Sequence, residues 1–159
     1  MSIDNKHQYM RAAIKKAEEN FIFGKGGPFG AVIIRDGEII AIAGNCVTST
    51  NDPTAHAEVV AIREACKKLE TFDLSGCEIF ASCEPCPMCL GAIMWAHIDK
   101  LYYAANRADA SRAGFDDEFF YAELALPSDK RILKPTKLLQ DEAIKVFDKW
   151  IDTVDKIPY

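Results

Sequence analysis

His56-Ala57-Glu58 and, further along, Pro85-Cys86-Pro87-Met88-Cys89 supply the residue types that hydrolytic zinc chemistry needs. Zinc favours tetrahedral sites of imidazole and thiolate, and a catalytic site uses three protein ligands with water or hydroxide in the fourth position. His56, Cys86 and Cys89 are candidates for those three ligands, with one Zn2+ per subunit. Such an ion lowers the proton affinity of bound water until hydroxide is available near neutral pH. Glu58 is the candidate general acid and base beside it. The Cys-x-x-Cys step also suits a redox pair or half of a structural zinc module. A closed structural site needs a fourth protein ligand, and Cys83 is the residue it would recruit.

For these groups to converge, their elements must be placed with care. Residues two apart do not share a face in mid-helix, so His56 and Glu58 must stand at the first turn of a helix. Asn51-Asp52-Pro53-Thr54 supplies a turn and cap just upstream. Pro85 suits a helix start at the second cysteine segment. The positive end of that helix favours both thiolates. Cys46, Cys66 and Cys77 lie in apolar surroundings as buried thiols, and His7 and His97 have no ligand-spaced partner.

Around these segments the pattern alternates. Helical spacing runs from about Asn5 to Asn20, with Tyr9, Ala13, Ala17 and Phe21 on one side. A glycine-rich break from Gly24 to Gly30 turns the chain with Phe29 aimed inward, and it lacks the phosphate-loop pattern. Strands are expected at 31–35 and 38–42 around the hairpin dipeptide Asp36-Gly37, then at 78–81 and 100–104. Residues 45–51 read as a loop, and the helix carrying His56 and Glu58 runs to about Leu69. Residues 108–125 read as helix in pieces broken at Gly114, Thr136–Leu139 as a fifth, edge strand, and Asp141–Trp150 as an amphipathic helix. The fold class is α/β, a three-layer α/β/α arrangement with helices on both faces of a central mixed sheet of about five strands and a mostly parallel portion. Both candidate metal segments open helices at strand ends, where such sheets place ligands.

The 159 residues suit one domain with a proper core. Hydrophobic residues make up 49% and charged residues 27%, as in a globular protein. There is no membrane-length apolar run and no signal-peptide stretch at the start, so a cytoplasmic, reducing location is expected, with free thiols or metal rather than disulfides. The net charge of −5, without a basic stripe, argues against a nucleic-acid partner and for a small substrate.

The His-x-Glu and Pro-Cys-x-x-Cys segments, in this order, resemble the signature of the zinc deaminases. The resemblance to the cytidine-deaminase-like zinc enzymes extends along nearly the whole chain through Gly26–Val32, Thr48–Glu58 and Ser82–Ala92. Ala113-Gly114-Phe115-Asp116-Asp117 and the tail Lys156-Ile157-Pro158-Tyr159 resemble more narrowly the guanine-deaminating branch. That resemblance implies His56, Cys86 and Cys89 as zinc ligands and Glu58 as proton shuttle. It implies Asn45 as a base-edge contact, Phe29 and Trp95 as pocket walls, Asp117 as a second carboxylate on the base, and Tyr159 as a closing residue. It further implies a purine base as substrate, with guanine converted to xanthine and ammonia. A homodimer follows too, its C-terminal segment (about 140–159) open to exchange between subunits. The alternatives are a tRNA adenosine deaminase, which would need a basic surface, another nucleobase or nucleotide deaminase, and the structural zinc module.

Overall fold

In the computed structural model, which describes residues 3–158, the chain opens with α1 (Ile3–Ile22). Tyr9, Ala13 and Ala17 of α1 are buried as their spacing predicts, but Phe21 is exposed and Asn20 takes the inward place at the end of the stripe. The hairpin of β1 (Gly30–Arg35) and β2 (Glu38–Gly44) turns on Asp36 and Gly37, whose φ values of 52° and 83° are both positive, as a tight hairpin turn requires. A bulge interrupts its register between Ile33 and Ile34.

After β2 come a single helical turn α2 (Val47–Thr50), where a loop was expected, and then α3 (Ala57–Leu69), β3 (Cys77–Cys83), α4 (Pro87–Trp95), β4 (Lys100–Ala105) and α5 (Arg107–Arg112). Among the described residues the sheet has four strands in the order β2-β1-β3-β4. Only β3 and β4 are parallel, and β1 runs antiparallel to both its neighbours. The expected mostly parallel portion is therefore confined to one pairing. The hairpin forces β1 against β2, and α3 then crosses over β1 to bring β3 back in the direction of β2.

Alternation along β1 separates two packed layers. Ala31 and Ile33 face Ala57, Ala61 and Ala65 of α3 and Ile93 of α4. Val32 and Ile34 face Tyr9 and Ala13 of α1, together with Phe80 of β3. The α/β/α layering follows from this two-sided burial. Alanine at every fourth residue of α3, fully buried at all three positions, lets that helix lie close to the sheet. Because β2 and β3 share a direction, α3 and α4 begin at the same end of the sheet, and β1 enters from that end.

The chain divides into two compact units, one ending at residue 121 and one beginning at residue 122. α6 (Asp117–Ala125) begins in the first. Gly114, with a φ of 93°, breaks the helix between α5 and α6, as expected. In the second unit, Arg131 donates to the Leu124 and Leu126 carbonyls, both at 3.0 Å, and closes the end of α6. A 3-10 turn (Ser128–Lys130) and α7 (Gln140–Ile151) complete it. The expected strand at 136–139 is absent: those residues pair with no strand among the described residues, and Leu138 and Leu139 are exposed. Pro135 removes a ladder donor just before them.

Candidate active site

His56 is the N-cap residue of α3, with φ −66° and ψ 154°, so its ring leaves the helix end rather than lying along a face. The upstream segment forms the expected turn, with Asp52 accepting from the Thr54 N–H at 2.8 Å and from its hydroxyl at 2.6 Å, but the cap is His56 itself. Cys86 holds the equivalent N-cap place on α4, with Pro87 at the first helical position and Cys89 one turn in. The His56 Nδ1 lies 3.6 Å from the Cys86 Sγ and 3.4 Å from the Cys89 Sγ, and the sulfurs are 3.6 Å apart.

These separations test whether the donors fit zinc. Bonds of about 2.3 Å to sulfur and about 2.0 Å to nitrogen at tetrahedral angles imply edges of about 3.8 and about 3.5 Å. The triangle matches closely, and its sulfurs are free thiols rather than a disulfide. Contact with the Cys89 sulfur draws the Cys86 thiol down to about 4 against the opposing effect of burial, with His56 adding to the pull. The same contact, with burial, pushes Cys89 up, and Cys86 raises His56.

Glu58, in the first turn of α3, is 7% exposed, and its Oε2 accepts from the Cys89 Sγ at 3.5 Å. Burial pushes its carboxyl above the usual range. A carboxyl held in this way beside the open side of the ligand triangle is suited to taking up and returning a proton.

The pocket in front of this triangle has a volume of about 380 Å³ and is lined by Phe29, Asn45, His56, Glu58, Cys86 and Asp117, joined by Gly27, Val47, Thr48, Cys83, Glu84 and Phe115. Asn45 is buried; its Oδ1 accepts from the Val47 N–H at 3.1 Å and from the Gly27 N–H at 3.4 Å, which leaves its NH2 group as the free end. Asn20 secures this corner, with its Nδ2 donating to the Gly27 and Asn45 carbonyls, each at 2.8 Å. Gly26 passes so close to the Asn45 carbonyl that a Cβ there would collide with it. Asp117, at the start of α6, is raised first by burial and then by Cys86.

Of the other predicted residues, one stands away from this pocket and one is not described. Trp95 is 67% exposed at the far end of α4 and does not line it. Cys86, Cys89 and Ile93 fall on the buried face of that helix, and six residues past Cys89 the helix has turned Trp95 away from that face. Tyr159 lies outside the described residues. Phe115, which meets Phe29 edge-to-face at 4.8 Å, supplies an aromatic wall instead. Sequence reasoning also passed over Glu84 and Asn20. The signal for Asn20 was a polar residue adjoining the apolar stripe of α1. Cys83 lines the pocket but stands outside the ligand triangle. Its Sγ lies 3.8 Å from the Asn106 carbonyl, and burial pushes its thiol up to about 11.

Residues 3–105 match the cytidine and deoxycytidylate deaminase zinc-binding region. The chain belongs to the cytidine and deoxycytidylate deaminase family. As a member of this deaminase family, it is 47% identical over 155 residues to guanine deaminase of Bacillus subtilis, a match covering 98% of this chain and 99% of that one. The crystal structure of guanine deaminase from that species superposes with a TM-score of 0.94 at 46% identity, covering 100% of this chain and 99% of the other. A guanine deaminase of Nitrosomonas europaea gives a TM-score of 0.65 at 36% identity, over 69% of this chain and 63% of that one. The tRNA-specific adenosine deaminase of Aquifex aeolicus is 43% identical over 100 residues, 63% of this chain and 66% of that one. The deaminase fold and its zinc-binding region are thus shared with enzymes acting on free bases and with enzymes acting on RNA.

Proposed function

We propose that this protein deaminates guanine hydrolytically, giving xanthine and ammonia. The observation that carries the reading is the pairing of Asn45 and Asp117 in one pocket with the His56–Cys86–Cys89 triangle and Glu58. Guanine presents N1–H and a 2-amino group on one edge, both donors, which suit the Asp117 carboxylate. Its O6 and N7 are acceptors, which suit the NH2 group of Asn45. Adenine has an unprotonated N1, so the same carboxylate would face a lone pair, and buried mismatches of this kind discriminate strongly. Full-length identity of 47% to a guanine deaminase supports the same choice.

His56, Cys86 and Cys89 would hold zinc, which supplies the Lewis acidity that makes water a nucleophile near neutral pH. The chain's own groups do the rest. Phe29 and Phe115 keep the base flat, with C2 toward the ligand triangle. Glu58 accepts the proton of the attacking water and delivers it to the adjacent ring nitrogen, so negative charge does not build on the purine. A second proton passes through Glu58 or Asp117 to the exocyclic amine, which leaves as ammonia. Asp117→Asn should cut kcat/KM for guanine sharply, and unaltered guanine kinetics in that variant would remove Asp117 from the site.

The molecule works as a homodimer in this reading. α7 leaves Val146, Phe147 and Ile151 exposed, and Met94 and Trp95 are exposed on α4. Apolar surface on this scale is usually covered by another chain. Residues 140–159, with Tyr159 at the end, are the segment expected to be exchanged between subunits within one zinc-dependent deaminase domain. The compartment is the cytoplasm, where six unpaired cysteines remain thiols. Among the described residues no helix is long and apolar enough to cross a membrane.

A further inference from the structure

Asp117 stands at the N-terminus of α6, and its aim depends on how that helix is tied to the metal-binding loop. One turn further on, Tyr121 lies on the same side of α6. Its hydroxyl donates to the Pro85 carbonyl at 2.8 Å, next to the ligand Cys86. The Arg107 guanidinium lies over the Tyr121 ring, 4.4 Å from its centroid. The Nε of Arg107 pairs with the Glu84 Oε1 at 3.2 Å, and its backbone N–H donates to the Glu84 Oε2 at 3.3 Å. Glu84 is in turn fixed by its N–H to the Ala105 carbonyl at 2.8 Å. The residue pair just before Cys86 is therefore joined to α6 twice, directly through Tyr121 and indirectly through Arg107. Glu84 and Arg107 make a partly shielded ion pair, and a cation over an aromatic face adds to its rigidity.

We propose that Tyr121 is a positioning residue: its hydrogen bond to Pro85, braced by Arg107 and Glu84, sets Asp117 against the substrate edge of the pocket. This rests on the reading of Asp117 as a substrate contact. Tyr121→Phe removes the hydroxyl and keeps the ring under Arg107, so the fold is retained. The test measures the dissociation constant of xanthine, the product that does not turn over, on full-length zinc-loaded protein. Four proteins are compared: native, Tyr121→Phe, Asp117→Asn and the double variant. Zinc content and Tm are measured alongside. Tyr121→Phe is expected to weaken xanthine about fivefold in the native background, in line with one hydrogen bond. It should raise KM for guanine more than it lowers kcat, and have no further effect on xanthine when Asp117 is already Asn. Unchanged binding in Tyr121→Phe, or equal weakening in both backgrounds, overturns the proposal. If Asp117→Asn weakens xanthine and Tyr121→Phe does not, the strut falls and the Asp117 reading stands. If Asp117→Asn alone binds and turns over normally, both fall.

Discussion

Glu58 and Cys83 are both buried beside the metal donors, yet their surroundings suit them to opposite parts. Glu58 has its oxygen on Cys89 and borders the open side of the ligand triangle, so its loss should affect turnover and not metal. Glu58→Gln is expected to keep zinc at one ion per chain and to lower kcat by about 10²–10⁴-fold, the usual worth of general acid–base help. Metal analysis beside ammonia release checks both halves, and a normal kcat would sink the assignment. Cys83 instead has its thiol at the Asn106 carbonyl and its proton held to about pH 11. Cys83→Ala should therefore retain full zinc, and in the native protein Cys83 should alkylate slowly near neutral pH, since the thiolate is the reactive form. Zinc loss in Cys83→Ala would revive the structural module. At this scale the His56, Cys86 and Cys89 triangle was legible because zinc restricts both residue type and spacing. Trp95 entered through the resemblance alone, and its position six residues along α4 from Cys89 turns it outward, away from the pocket lining. Phe115 and Asn20 were passed over because each performs a common residue's task, aromatic packing or amide hydrogen bonding, and the importance comes from where the fold puts it.

Elements place these residues through close packing at one end of the sheet. The alanine stripe Ala57, Ala61 and Ala65 lets α3 approach β1 and β2, and that approach fixes His56 and Glu58. Ala61→Leu should overpack this layer and cost about 1–3 kcal/mol, seen as a lower urea midpoint with unchanged slope. Asn20→Ala leaves the Gly27 and Asn45 carbonyls without their donor. It should cost about 1–3 kcal/mol and raise KM for guanine, because the Asn45 corner loosens. Asp36-Gly37 announced its hairpin because few dipeptides accept positive φ at both turn positions. The strand expected at 136–139 failed for the converse reason. A run of Leu138 and Leu139 can look like a strand, but a strand exists only where a partner offers a ladder. Likewise the β2–α3–β3 alternation suggested parallel neighbours, and the sequence carries no local mark that β1 would lie between those two strands.

As a whole molecule, a 17.7 kDa chain exposes Phe147, Ile151, Met94 and Trp95, and a dimer is expected to cover such surface. Light scattering after size exclusion should give twice the chain mass, and Phe147→Glu should shift it toward the monomer. A native protein that stays monomeric at high concentration would contradict the dimer. The acidic balance of −5 likewise belongs to this scale and disfavours long RNA contacts. The claim that joins all three scales is guanine as substrate. Purified zinc-loaded protein should be given guanine, guanosine, adenine, cytosine and a tRNA anticodon stem-loop side by side, with ultraviolet conversion and ammonia followed together. Guanine alone should be converted, giving xanthine and one ammonia for each base consumed. Deamination of the stem-loop with guanine untouched, or of none of the five with zinc bound, would contradict the account.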